Sequence, residues 1–303
     1  MKKIINNYYK LFPTELYVID NGFRFFVNDY EYLFLKYEDE IEHLNILVDI
    51  SNKLYNKKIY VNTFVMSING EFYVSVEDIN YVLLQVNCNL KDEYSVKDLL
   101  KFNFSLVNYD YPVNVSPWYE IWSKKVDIFE ETISDLNKEF PVLQEIFPYY
   151  IGLAENAISY CTDIDFNNND PTIAISHKRV GMDNSFGYLY NPMTFTFDYD
   201  VRDLSEYIKF NFFYHSLNFS EIEDVILNGK LSKSSLMMLF ARLLYPSYFF
   251  DLCEKILSED LSEDVLITII NKSSDYEDLL NDIYILISKI YDVPKIKWLI
   301  NKN

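Results

Sequence analysis

Several residue types that usually signal a particular class of protein are scarce in this sequence. The three cysteines lie far apart, form no CxxC motif and are odd in number, which argues against a disulfide framework. The three histidines form no HxH or HExxH motif, so a structural zinc site is not expected. With only six glycines and nine prolines in 303 residues, the chain is not a low-complexity sequence.

Basic residues are scarce as well. The chain has 27 Lys+Arg against 46 Asp+Glu, which gives a formal net charge of −19. A chain this acidic repels a phosphate backbone, and no local basic patch offsets that repulsion, so we expect no nucleic-acid partner. The carboxylates are spread over helical segments, as on a solvated surface. A surface for a cationic partner is the alternative interpretation.

Long apolar runs are absent. The N-terminal sequence Met-Lys-Lys-Ile-Ile-Asn-Asn has no apolar core, so it does not predict a signal peptide. No run approaches the length needed to cross a bilayer, and we expect no membrane span and a cytoplasmic chain at synthesis. Half of the residues are apolar, which is enough for a sizeable core in one large domain or two smaller ones.

The beginning of the chain predicts an antiparallel meander. Turn sequences occur at Asp20-Asn21-Gly22 and at Asn28-Asp29, and short β-rich segments flank them. Strands joined by such tight turns pair with their neighbours in antiparallel order. The predicted strands cover residues 16–19, 23–27 and 32–37.

The next segments predict one helix and three further strands. Apolar residues recur at helical spacing over 39–55. Segments 63–68 and 71–76, on either side of Asn69-Gly70, predict a hairpin, and segment 81–86 predicts another strand. Three strands, a helix and then more strands is the order of elements in the small lobe of a kinase.

From Ser116 onward the pattern becomes helical. Ser116 is a suitable helix cap and Pro117 suits the first helical position. Trp118 and Trp122 begin a stripe of apolar residues that continues at helical spacing. We interpret the two tryptophans as core residues, and a platform for a ligand is the alternative.

The end of the chain, from 218 to 300, predicts a helical bundle. Ser220 with Glu223, and Ser274 with Glu277, have the spacing of capping boxes. The sequence therefore predicts an α+β fold of two lobes, like that of the protein kinases. A small antiparallel β lobe would cover residues 1–90 and a larger helical lobe residues 91–303.

One polar segment has the spacing of a kinase catalytic loop. In kinases a His is followed after two residues by an Asp that accepts the proton, then by an Asn, and later by an Asp that holds the metal ion. His177 and Asn184 fit this spacing, and Asp198, with Asp200 beside it, follows an apolar strand where the metal ligand belongs. The proton-accepting position is Arg179. Because Arg is not deprotonated in proteins, Arg179 cannot act as a general base.

Each of these assignments has a structural alternative. Asparagine is common in this chain, so Asn184 can match by chance, and His177 can be a structural loop residue. Asp198 can simply flank a turn. Arg202-Asp203 is equally consistent with a structural ion pair, and we expect Asp203 to fix the start of the helix that follows.

The predicted small lobe offers a partial nucleotide site. Gly22 is the only glycine at the first hairpin, and no GxGxxG motif covers the phosphates. Lys36 ends the third predicted strand, where a phosphate-pairing Lys belongs, and Glu42 or Glu40 is its candidate partner on the helix. The alternative is a surface Lys at the polar end of a strand.

Taken together, these segments resemble the CotS/YutH group of spore-coat kinase-like proteins, and most closely its YutH-like branch. This group is related to the aminoglycoside and choline phosphotransferases. The resemblance covers nearly the whole chain. It rests on Gly70 to Val86, Trp118 to Trp122, Phe147 to Ala157, His177-Lys178-Arg179 and Phe197 to Tyr207.

The resemblance implies a bilobal kinase-like fold and a role in endospore formation in Gram-positive bacteria. In active relatives the loop reads His-Gly-Asp, so Arg179 places phosphoryl transfer in doubt. Glu155-Asn156 lies in an apolar stretch, and we expect these side chains to hydrogen-bond the loops near His177.

These observations favour a non-catalytic kinase-like protein that acts by binding to coat or other protein partners. Such a protein would be made in the mother cell and could reach the spore coat. The alternative is an ATP-dependent phosphotransferase acting on a small hydroxylated or amino substrate. Asp198 or Asp200 would then hold Mg²⁺, and Lys36, Glu42 and Asn184 would bind ATP. A nucleotide or metabolite sensor without turnover is a third class.

Overall fold

The computed structural model describes residues 1–88, 92–106, 117–135, 140–166, 172–180, 185–258 and 261–300. Asn184 and Ser116 lie outside the described residues. Contacts divide the chain into two units, and the predicted boundary at residue 90 stays a prediction. The first unit is Met1–Tyr94 with Asp183–Phe195, and the second is Ser95–Met182 with Thr196–Asn303.

The first unit is built on an antiparallel sheet of six strands, as predicted. Its order is β1-β2-β3-β6-β4, and β5 also pairs with β6. A helix α1, which the sequence interpretation missed, precedes the sheet, and α2 follows β3. The elements are α1 (Lys2–Tyr9), β1 (Tyr17–Ile19), β2 (Gly22–Val27), β3 (Tyr30–Tyr37), α2 (Ile41–Asn56), β4 (Thr63–Phe64), β5 (Tyr73–Val76), β6 (Ile79–Gln85) and α6 (Phe186–Leu189).

The predicted hairpin between 63–68 and 71–76 is wrong. β4 and β5 do not pair with each other, because both pair with β6. The real hairpin joins β5 and β6 through Glu77 and Asp78, whose φ values are 51° and 63°. Two consecutive residues with positive φ form the tight turn whose twist matches that of paired strands.

The two faces of the sheet bury different residues. Phe34 packs with Ile5 and Tyr9 of α1, on one face. The Tyr37 hydroxyl lies 3.1 Å from the Glu40 carbonyl and 3.4 Å from Nδ1 of His43, so the other face looks toward α2. Side chains alternate between the two faces along a strand, so each side chain of β3 lies either on the face toward α1 or on the face toward α2.

The second unit is largely helical, as predicted. Its helices begin earlier than expected, because α3 precedes the predicted start near residue 116. Strands β7 and β8 form a small separate sheet. The elements are α3 (Val96–Asn103), α4 (Trp118–Asp135), α5 (Pro141–Thr162), β7 (Ile173–His177), β8 (Phe195–Tyr199), α7 (Arg202–Tyr214), α8 (Phe219–Asn228), α9 (Lys233–Leu244), α10 (Ser247–Ser258), α11 (Ile267–Asn271), α12 (Ser273–Ile290) and α13 (Lys297–Ile300).

Helix α9 lies at the centre of this unit. Every side chain from Ser234 to Leu244 is buried, including the charged Arg242. A helix buried on all sides needs a partner for any charge that it carries. This requirement explains why Arg242 takes part in the site described next.

Candidate functional site

His177 is held by the first turn of α7. It ends β7, and its side chain and that of Asp203 are both fully buried. The backbone N–H of His177 donates to Asp203 Oδ1 at 2.9 Å, and His177 Nδ1 lies 2.7 Å from Asp203 Oδ2. Asn103 of α3 donates to the same Oδ2 at 2.8 Å. Asp203 therefore fixes the start of α7, as expected, and its partner is His177.

Asp198 lies at the centre of a buried charge cluster. Its Oδ2 accepts from Arg202 and from Arg242, each at 2.7 Å. Its Oδ1 accepts from the indole Nε1 of Trp118 at 2.8 Å and from the backbone N–H of Tyr199 at 2.7 Å. The side chain is 1% exposed. Each carboxylate oxygen thus already has two donors, and the carboxylate is fully hydrogen-bonded.

The electrostatics of this cluster keep Asp198 ionised. Burial by itself raises the pKa of this carboxyl, but Arg242 and Arg202 outweigh burial and hold the pKa below its ordinary value. The Arg242 guanidinium also lies over the Trp118 ring, 4.3 Å from its centroid. Asp198, Arg202, Arg242 and Trp118 form what we call the arginine cluster.

This arrangement does not fit a bound Mg²⁺. Mg²⁺ requires accessible carboxylate oxygens and is repelled by neighbouring cations. Both oxygens of Asp198 are occupied, and two guanidinium groups provide the positive charge that a metal ion would provide. The metal role of Asp198 stays a prediction that requires Arg202 and Arg242 to move.

Asp200 lies apart from the arginine cluster. Its Oδ2 accepts from Thr172 at 3.0 Å and from Ser235 at 2.8 Å, beside a cavity of about 300 Å³. Among the described residues no group of three or more His, Cys, Asp or Glu is placed to hold a metal ion. The predicted metal role of Asp200 is therefore untested, and the structure gives this carboxylate hydroxyl partners.

Arg179 turns away from the arginine cluster. Its guanidinium pairs with Asp251 of α10, and its side chain is 60% exposed. A permanently charged group engaged in an ion pair cannot accept a proton. Arg202 donates to the backbone carbonyl of Lys178 at 3.4 Å, so the loop that carries Arg179 is tied to the arginine cluster through its backbone.

A cavity of about 670 Å³ opens beside Arg179. Helices α7 and α10 provide most of its wall. The charged residues Glu206, Lys209 and Asp251 contribute to the wall, together with aromatic rings. Lys209 is 3% exposed, and its ammonium donates to Glu206 at 2.6 Å, to Ser247 at 2.5 Å and to the Arg242 carbonyl at 3.3 Å.

The predicted nucleotide-binding pair does not form among the described residues. Lys36 lies two residues after Phe34 in β3, so both side chains are on the same face of the sheet, the one that packs against α1. Glu42 lies on α2 and is exposed, and no carboxylate of the described residues is within ion-pair distance of Lys36. The nucleotide roles of Lys36, Glu42 and Asn184 stay predictions.

The sequence-based expectation for Asn156 failed, and Arg242 was missed. Asn156 donates to the Gly152 carbonyl and accepts from Trp298, and Glu155 is exposed, so within the described residues the expected bonds to the loops near His177 do not form. Arg242 was missed because it lies 44 residues after Asp198, in an otherwise apolar helix. A lone Arg inside a continuous apolar pattern is the one signal that could have indicated it.

Residues 2–283 match the family model described as "Spore coat putative kinase YutH". The chain belongs to the YutH spore-coat family. It is 27% identical over 271 residues to the endospore coat-associated protein YutH of Bacillus subtilis strain 168, covering 79% of this chain and 80% of that protein.

Solved structures show the same fold at low sequence identity. An aminoglycoside phosphotransferase from Alicyclobacillus acidocaldarius aligns with a TM-score of 0.65 at 10% identity, covering 91% of this chain and 93% of that one. Spectinomycin phosphotransferase APH(9)-Ia, in complex with ADP and spectinomycin, aligns with a TM-score of 0.62 at 10% identity. The alignment covers 96% of this chain and 93% of that one. Amicoumacin kinase hAmiN, with AMP-PNP and Ca²⁺, aligns with a TM-score of 0.57 at 13% identity. The alignment covers 91% of this chain and 92% of that one. The predicted fold class is confirmed.

One helical stretch of this family member could cross a bilayer by length and composition. Within the described residues, Lys233–Ser258 meets that test, and 78% of the window is buried inside the protein. The stretch comprises two helices, α9 and α10, with Pro246 between them. Burial of this extent is typical of core helices.

Proposed function

We propose that this YutH family member is a non-catalytic kinase-fold protein that acts by binding in spore coat formation. The observation that carries the proposal is the arginine cluster. Arg202 and Arg242 neutralise the carboxylate that would hold the metal in a phosphotransferase. Association of the Bacillus subtilis relative with the endospore coat supports the cellular role.

The loop chemistry supports the same conclusion. Phosphoryl transfer depends on positioning, on charge neutralised by metal ions and on a correctly placed hydroxyl. Arg179 stands at the position of the general base, and losing such a base typically costs about a hundred- to ten-thousand-fold in rate. Under this proposal, the pairing of Asp198 with Arg202 and Arg242 also prevents it from holding a metal ion, which is a second, independent defect.

An ATP-dependent phosphotransferase is the second candidate. The observation that favours it is the shared fold with structures that hold ADP or AMP-PNP. Under this alternative, Arg202 and Arg242 would have to release Asp198 when ATP and Mg²⁺ bind. Binding of ATP without turnover would indicate a sensor.

The test combines binding with turnover. The melting temperature is measured with and without Mg-ATP, and phosphate transfer is assayed over a panel of aminoglycosides, choline and sugars. We expect no transfer and little or no stabilisation. Transfer that is abolished in Asp198→Asn would refute the proposal, because it would give the carboxylate a catalytic role.

The coat role has its own test. A fluorescent fusion should localise to the developing spore in sporulating cells. If catalysis is not required, the Asp198→Asn fusion should localise in the same way. Diffuse mother-cell fluorescence of the wild-type fusion throughout sporulation would contradict a coat role.

A further inference from the structure

The cavity beside Arg179 has the dimensions of a small-molecule site. Its volume of about 670 Å³ falls inside the usual range for ligand pockets, which is roughly 300 to 1,000 Å³. It lies within the second unit, between α7 and α10. It is separate from the arginine cluster, because neither Asp198 nor Arg242 lines it.

Two carboxylates on the wall of the cavity retain acceptor capacity. Glu206 accepts from Lys209 through Oε1, and Asp251 accepts from Arg179 through Oδ2. In the part of the chain that the structure describes, the second oxygen of each carboxylate accepts no hydrogen bond. The two side chains are 28% and 27% exposed, and neither second oxygen is sealed in the protein interior, so a ligand in the cavity can reach both. Such oxygens favour a ligand that donates hydrogen bonds and carries positive charge.

The cations around the cavity do not favour an anion in its interior. Lys209 already donates to three acceptors, so its ammonium has no further proton to offer a ligand. Lys255 is exposed on α10, and Arg179 pairs with Asp251. Glu254 pairs with Lys125 at 2.9 Å. The interior therefore presents carboxylate oxygens rather than free cationic groups.

Aromatic side chains complete the lining. Phe210 and Tyr214 of α7 and Tyr248 of α10 all border the cavity. The Tyr248 ring is held against Phe213, with 4.2 Å between the ring centroids. Rigid aromatic faces attract cations through the negative potential above the ring and also provide apolar contact.

Arg179 shows which chemical group this wall accepts. Its guanidinium forms an ion pair with Asp251, so a cationic group of the protein itself already binds this carboxylate. Most of the Arg179 side chain is exposed. We propose that the cavity binds a small organic cation, an ammonium or guanidinium on an apolar body, whose charged group competes with Arg179 for Asp251. This inference rests on the proposed binding role and names the ligand class of that role.

The experiment uses two probes of the same shape that differ in charge. Butylguanidine is a cation, and butylurea is its uncharged counterpart. Binding to the full chain is followed by calorimetry and by the shift in melting temperature, without nucleotide. We expect butylguanidine to bind and butylurea not to bind. An equal response to both probes overturns the proposal.

Variants assign the binding to this cavity. Arg179→Ala removes the internal competitor and should tighten butylguanidine binding about three- to fivefold, which corresponds to about 0.7–1 kcal/mol for an exposed ion pair. Asp251→Asn should abolish binding. Asp224→Asn is the matched control, because Asp224 forms a similar exposed pair with Lys97 outside the cavity. Unchanged affinity in either cavity variant overturns the proposal.

Two features keep the test decisive. If Asp251→Asn does not give a cooperative melting transition, the direction of change in Arg179→Ala decides, since a residue that only supports the fold would not tighten binding when removed. Because no nucleotide is present, failure here leaves the turnover result of the proposed function untouched. Turnover with Mg-ATP would refute that function without bearing on butylguanidine binding.

Discussion

At the scale of single residues, the arginine cluster joins side chains from distant parts of the chain around one buried carboxylate. Asp198, the predicted metal ligand, is hydrogen-bonded by Trp118, 80 residues before it, and by Arg242, 44 residues after it. Spacing motifs report positions along the chain and cannot report such distant partners. That Arg179 cannot serve as a general base, by contrast, follows from one residue type at one position.

The two arginines of the cluster should differ in their contribution to stability. Arg242 is buried on α9, whereas Arg202 is 22% exposed at the start of α7. Breaking a buried ion pair leaves an uncompensated charge and costs about 3–5 kcal/mol, so Arg242→Met should lower the free energy of unfolding by that amount. Arg202→Met should cost about 1 kcal/mol. Urea unfolding of both variants measures this, and equal losses would contradict the assignment.

Asp198 should also make stability depend on pH. Its folded pKa lies below the ordinary value because Arg242 and Arg202 outweigh the effect of burial. A lowered folded pKa means that the stabilisation is fully present above the unfolded pKa of about 4 and is lost as the pH falls through the folded pKa. The difference in unfolding free energy between the wild type and Asp198→Asn should therefore shrink below about pH 4. A difference that stays constant between about pH 7 and pH 3 would contradict this.

At the scale of elements, the strands of the meander were predicted well and the short elements poorly. The segments around Asp20-Asn21-Gly22 and Asn28-Asp29 gave β1 to β3 because tight turns and alternation are local signals. Helix α1 was missed because it has only eight residues and no side-chain cap. Strand β4 has two residues and pairs with β6, a contact that local sequence cannot encode. Ser220 and Ser274 lie inside α8 and α12, so the predicted capping positions were wrong.

The face of β3 on which a residue lies should decide the effect of its substitution. Lys36 lies at a strand end on the α1 face, half-buried and without an ion pair among the described residues. Lys36→Ala should change the free energy of unfolding by less than about 0.5 kcal/mol. Leu35→Ala, one position away and 6% exposed on the other face, should cost about 2–4 kcal/mol. A large loss in Lys36→Ala would show that this side chain has a partner that alternation does not indicate.

At the scale of the whole molecule, the proposed non-catalytic role is compatible with an intact core. The buried residues around α9 form a continuous cluster through the second unit. At the candidate site, Arg179 pairs with Asp251 and Arg242 pairs with Asp198.

Restoring one catalytic part should therefore not restore the reaction. Arg179→Asp returns a carboxylate to the position of the general base, but Asp198 remains neutralised by Arg202 and Arg242. The new carboxylate would also lack the ion pair with Asp251 and would face that side chain with like charge. Since phosphoryl transfer needs metal-neutralised charge as well as a base, we expect no ATP-dependent turnover from this variant. A phosphate-transfer assay beside the wild type checks this. Turnover gained by Arg179→Asp alone would mean that the arginine cluster opens for a metal, and that the loop base was the only missing part.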